Sequence, residues 1–108
     1  MATTKTREEL VRLAWITELR RQGHRQCDGE LFVGRLVCAL GLLAEVAGLS
    51  RESANCIARN GNKPGGFARL AAIAGLDRIQ TDQVIHRNDG GQTFAEIADV
   101  VEGWFPAG

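Results

Sequence analysis

Gly34-Arg-Leu-Val-Cys-Ala-Leu-Gly-Leu-Leu-Ala-Glu-Val-Ala-Gly48 is the longest apolar run of the chain and the only one that is apolar on nearly every helical face. A helix of that kind has to be surrounded by other elements, so residues 35–47 read as a central core helix and the rest of the chain as its packing partners. Gly41 lies inside this helix, where glycine costs about 1 kcal/mol against alanine. Its presence points to a second backbone passing close by.

On the N-terminal side, residues 1–5 are polar and read as a frayed end. Thr6-Arg-Glu-Glu9 then has the pattern of a capping box, in which a hydroxyl and a carboxylate satisfy backbone donors that a helix start leaves unpaired. The helix that follows carries Leu10, Leu13, Ile16 and Leu19 as an apolar stripe, widened by Val11, Ala14 and Trp15, and stops at Gly23. Arg20 and Arg21 close it; basic residues there complement the helix dipole, and the competing reading is a phosphate-binding patch. Between His24 and Val33, the dipeptide Asp28-Gly29 suits a tight turn and allows a short hairpin of 24–27 against 30–33. His24 and Cys27 are spaced to touch one metal ion, but no second pair completes a zinc-type site, so no metal is expected.

On the C-terminal side, Ser50 is the expected N-cap of a helix to Arg59 with Ala54, Ile57 and Ala58 inward, ended by Asn60-Gly61. Asn60-Gly-Asn-Lys-Pro-Gly-Gly66 is glycine-rich with one lysine, yet lacks the Gly-Lys-Ser/Thr ending and preceding strand of a phosphate loop. Phe67, Leu70, Ala71 and Ala74 recur at helical spacing up to Gly75. A further helix carries Ile79, Val84 and Ile85 and ends at the turn Asn88-Asp-Gly-Gly91. Thr93-Phe-Ala-Glu96 is a second capping box, opening a helix with Phe94, Ile97, Ala98 and Val101 on one face, extended by Trp104 and Phe105. Pro106 limits that helix. The whole reads as an all-α bundle of five or six short helices around residues 35–47, with the small hairpin at 24–33 as an addition.

At 108 residues the chain fits a single domain with a real core. Thirteen basic and thirteen acidic residues cancel, which argues against bulk attraction to nucleic acid or anionic membranes. The balance is uneven, with ten basic and seven acidic residues up to Lys63 and three and six after it. Nothing approaches the roughly 18 apolar residues of a transmembrane helix, and the N-terminus lacks a signal-peptide core, so a cytoplasmic protein is expected. Cys27, Cys38 and Cys56 fit no disulfide framework and read as reduced thiols.

Three functional readings compete. Thr93–Val101 resembles the first helix of a helix-turn-helix unit, but few residues remain for a recognition helix and the exposed stripe of Glu96, Asp99 and Glu102 is acidic, so DNA binding ranks lowest. Cysteine catalysis needs a thiolate, a base and a group that orients the base. Cys38 in the first turn of the central helix, His86 or His24 as base, and Asn88 or Asp89 as orienter would supply these parts; the competing reading packs Cys38 as a small hydrophobe. A non-enzymatic protein-binding module ranks first, with Arg20, Arg21, His24, Arg25, Asn88 and Asp89 as candidate binding residues and no cofactor expected. Trp104 and Phe105 read as core, with a homodimer contact as the alternative.

Arg25-Gln-Cys-Asp-Gly-Glu-Leu31, Val37-Cys-Ala-Leu-Gly-Leu-Leu-Ala-Glu-Val-Ala-Gly48 and Arg87-Asn-Asp-Gly-Gly-Gln-Thr-Phe-Ala-Glu-Ile-Ala-Asp99 resemble segments of a family of small uncharacterised phage and bacterial proteins. These carry a central Cys-x-Leu-Gly segment and an Asn-Asp turn leading into Phe-x-x-Ile-Ala. Many have a Cys-Cys pair where this chain has Val37-Cys38, so this chain keeps one of the two thiols. The resemblance implies a phage or mobile-element accessory protein that binds a host or defence component. It also implies that Asn88 and Asp89 form a shared structural turn, with side chains capping the helix that opens at Phe94.

Overall fold

In the computed structural model, which describes residues 5–59 and 66–105, the central run divides into a short hairpin and helix α2, Ala39–Val46. Strands β1 (Phe32–Val33) and β2 (Leu36–Val37) pair antiparallel around Gly34, whose φ of 59° lies in the left-handed region that glycine tolerates. The hairpin is therefore present but lies at 32–37 rather than 24–33, and it takes the first residues assigned to the central helix. Pairing Leu36 and Val37 into a ladder leaves Cys38 extended, with φ −84° and ψ 176°, so the helix starts at Ala39 and Cys38 is its N-cap instead of a first-turn residue.

Upstream of β1 the chain makes a 3-10 turn at Gly23–Arg25, then a single parallel bridge from Gln26 to Val37. Gly29 turns there, at φ 79°, but no strands flank it. Leu31 passes directly over α2. A methyl group built on Gly41 would overlap the Leu31 carbonyl oxygen, so the mid-helix glycine does admit a second backbone.

Helix α2, of which Ala39 to Ala44 are buried, packs against four of the five other helices of the described residues, α1, α3, α4 and α5. Helix α1 (Arg7–Arg21) packs against α2 and against α6 (Phe94–Trp104). Thr6 accepts the Glu9 N–H at its start. Its buried face is Trp15, Ile16 and Leu19, whereas Leu10 and Leu13, expected inside, are 55% and 44% exposed. The rotation follows the largest side chain: Trp15 is fully buried and its indole N–H donates to the Ala39 carbonyl at 2.9 Å, which fixes which side of α1 faces the centre. Arg12, one turn before Trp15, lies 3.7 Å above the Phe105 ring and donates to the Ala74 carbonyl.

Helix α3 (Arg51–Arg59) begins at Ser50, whose hydroxyl accepts the Ser53 N–H at 3.0 Å, and turns Ala54 inward. Its expected stop at Asn60-Gly61, the glycine-rich stretch to Gly65 and Pro106 lie outside the described residues. Helix α4 (Gly66–Ala72) buries Leu70 and Ala71 but leaves Phe67 43% exposed. Helix α5 (Arg78–Asp89) opens with a reciprocal cap between Asp77 and Gln80; it buries Val84 and leaves Ile79 in solvent. Helix α6 has the Thr93–Glu96 box read from sequence and buries Phe94, Ile97, Ala98 and Val101. Trp104 and Phe105 are half-buried against the same core. The result is a mostly helical globule with one two-stranded ribbon.

Candidate functional site

The end of α5 meets the start of α2 through one side chain. Asn88 is 3% exposed. Its carboxamide oxygen accepts the Ala39 N–H and the Gln26 Nε2–H, both at 3.2 Å, and its nitrogen donates to the Cys27 carbonyl at 2.8 Å. Asp89, next along, accepts the Gly29 N–H at 3.1 Å. The pair thus ties the 26–31 segment and the first turn of α2 to α5. It does not cap α6 as the resemblance implied: the Phe94 N–H goes to Gln26 Oε1 at 2.9 Å, and Thr93 caps the helix from within. Gln26 is the residue that sequence reading missed. A single amide side chain has no periodicity or spacing that announces a partner 68 positions away.

Beneath this junction is a cavity of about 130 Å³, walled by Leu31, Cys38, Ala39, Leu40, Val84 and Ile85, with Asn88 and Asp89 at one side and the exposed Phe67 at another. The local sequence explains the wall. Helix α2 presents small Ala39 beside Leu40, α5 presents Val84 and Ile85 one turn before Asn88, and the 29–31 backbone closes the remaining side.

Of the proposed catalytic set, Cys38, Asn88 and Asp89 border this one cavity, while His86 lies outside its lining on an exposed position of α5 and His24 lies on the 3-10 turn. The carboxamide of Asn88 bonds backbone and Gln26 rather than an imidazole. Burial pushes the Cys38 thiol up to about 11, with Cys27 and Asp89 adding to the rise against the partial relief from the Gly41 and Leu40 amides. Its sulfur accepts the Gly41 N–H at 3.4 Å, the ordinary bond of an N-cap. At neutral pH the group is a protonated thiol, and a nucleophile needs the thiolate.

The candidate basic cluster is engaged within the chain. Arg20 pairs with Asp99 and Glu102 of α6 at 2.9 and 3.1 Å, and Arg21 with Glu18 at 2.9 Å. Arg20 in turn holds the Glu102 carboxyl below its usual range. Arg25 grips Glu45 of α2 with both ends of its guanidinium at 2.9 Å and donates to the Arg35 carbonyl, so the fork pins the hairpin to the core helix. His24 is exposed beside it.

Among the described residues no group of three or more His, Cys, Asp or Glu side chains could hold a metal ion, and no helix is long and apolar enough to cross a membrane. The chain matches no protein-family model, no curated protein and no solved structure.

Proposed function

We propose that this protein is a small non-enzymatic binding module that takes an apolar side chain of a protein partner into the cavity between the 29–31 segment, α2 and α5. The observation that carries this reading is the cavity itself. Its wall is chiefly apolar, its volume of about 130 Å³ is close to the ~150 Å³ that accommodates a benzene ring in an engineered core, and a large aromatic residue, Phe67, stands exposed at its edge. Apolar anchors seated in pockets dominate the energetics of protein interfaces. The origin in a phage or mobile element, and a host or defence component as the partner, belong to the same proposal and rest on the resemblance alone. Against the alternative of a cysteine-dependent enzyme stand the protonated, partly buried Cys38 and the position of His86 outside the cavity.

A photo-crosslinking phenylalanine analogue placed at position 67 tests the proposal. In bacterial lysate it is expected to capture a discrete protein through an apolar side chain, and capture should be lost when Ile85→Trp fills the cavity of a chain that still folds by circular dichroism. Capture that survives Ile85→Trp, or that equals capture by the same analogue at exposed Ile79, outside the cavity lining, overturns it.

A further inference from the structure

Two of the three cysteines are brought side by side by an element too short to be read from sequence. The bridge between Gln26 and Val37 is parallel, and the Cys27 N–H donates to the Val37 carbonyl at 2.9 Å. Parallel neighbours lie about 4.8 Å apart. The bridge is isolated, and Cys27 and Cys38 are the residues that follow it on each side; a ladder spacing carried one residue further would fall within the window of roughly 4.4–6.8 Å between the Cα atoms of a disulfide. Asn88 holds both partners in place, bonding the Cys27 carbonyl with its nitrogen and the N–H of Ala39, next to Cys38, with its oxygen. Cys27 is partly exposed, with its sulfur 3.6 Å from the Glu30 carbonyl oxygen, and Cys38 borders the cavity, so an oxidant can reach the pair from the surface.

We infer that Cys27 and Cys38 are a redox-modifiable pair that closes to a disulfide by exchange with a low-molecular-weight disulfide such as oxidised glutathione. The Cys27 thiolate attacks one glutathione sulfur, forming a mixed disulfide and releasing the first glutathione thiolate, which takes up a proton. Cys38 then loses its proton to water, its sulfur attacks the Cys27 sulfur, and the second glutathione leaves as a thiol. Two protein thiols are oxidised and one glutathione disulfide is reduced to two thiols. The product links the segment above α2 to its N-cap and stiffens one wall of the cavity. The pair depends on the fold alone and stands whether or not the cavity binds a partner.

Trypsin separates the three cysteines, since cleavage after Arg25, Arg35, Arg51 and Arg59 gives peptides 26–35, 36–51 and 52–59. The full chain is equilibrated in glutathione redox buffers, quenched with acid and digested. The expected product is peptide 26–35 linked to 36–51, absent from both Cys27→Ser and Cys38→Ser. Its effective concentration against glutathione should be at least about tenfold higher in the folded chain than in concentrated urea, because the register holds the thiols together. Equal values in the two conditions overturn the inference, as does a folded chain that yields only glutathione adducts or links to peptide 52–59.

Discussion

The Asn88 side chain accepts the N–H of Ala39 from 49 positions away in sequence and thereby supplies the start of α2 with a partner that α2 cannot provide for itself. A helix begins with four unpaired N–H groups. Cys38 answers one with a sulfur and Asn88 answers another with an amide oxygen. Replacing Asn88 with alanine leaves the buried Ala39 N–H and the partly buried Cys27 carbonyl without the partner each has now. The expected loss is about 2–4 kcal/mol, read from urea unfolding, and a loss below 1 kcal/mol would mean that water takes over both bonds.

Gly41→Ala should reverse the usual propensity gain. In an open helix the change stabilises by about 1 kcal/mol, but here the methyl meets the Leu31 carbonyl oxygen and the 29–31 segment must move. Net destabilisation of about 1–3 kcal/mol is expected in thermal or chemical unfolding.

The Cys38 thiol gives a pH dependence of definite sign. Its folded pKa, pushed up to about 11, is above that of an unperturbed thiol, so the unfolded chain gives up that proton first. Stability from this group is complete below pH 9 and is lost as pH rises from there to about 11. Unfolding midpoints across that range should fall for the native chain and fall less for Cys38→Ser. In the folded protein at pH 7, only about one Cys38 in ten thousand is a thiolate, so iodoacetamide should label it more slowly than it does after unfolding.

Arg25→Lys keeps the charge but loses the fork that reaches both Glu45 oxygens and the Arg35 carbonyl. About 1 kcal/mol of stability should be lost, and faster amide exchange should be confined to the hairpin at 32–37.

Closing the Cys27–Cys38 link would stabilise the fold by constraining the unfolded chain, by about 3 kcal/mol for a loop of this length. The midpoint of thermal unfolding should rise on oxidation and return on treatment with dithiothreitol.

The parts legible in the sequence are those whose chemistry is local. The caps at Thr6, Ser50 and Thr93 lie within three or four residues of the groups they satisfy, and each helix begins where its cap stands. Gly41 announced a close backbone because a mid-helix glycine has few other reasons to be there. The position of the hairpin is not legible because Asp28-Gly29 and Gly34-Arg35 are both acceptable turns, and the choice between them depends on Leu31 packing over α2, a tertiary event. The face of α1 was rotated for a similar reason: Leu10, Leu13, Ile16 and Leu19 satisfy a regular spacing, but burial of Trp15 and its bond to Ala39 outweigh it. At the candidate site, Cys38, Asn88 and Asp89 are legible from their residue types and do border one cavity, whereas His86 faces outward and Gln26 carries no sequence signal.

The bond from the Trp15 indole to the Ala39 carbonyl has an optical consequence. Ala39 presents its carbonyl to the indole and its N–H to Asn88, and it lines the cavity. Any occupant that displaces the Ala39 backbone alters the dipole felt by the buried indole and shifts its fluorescence. The second tryptophan, Trp104, lies on α6 and outside the cavity lining. With Trp104 changed to phenylalanine, the remaining emitter becomes an internal gauge of cavity occupancy that needs no added dye.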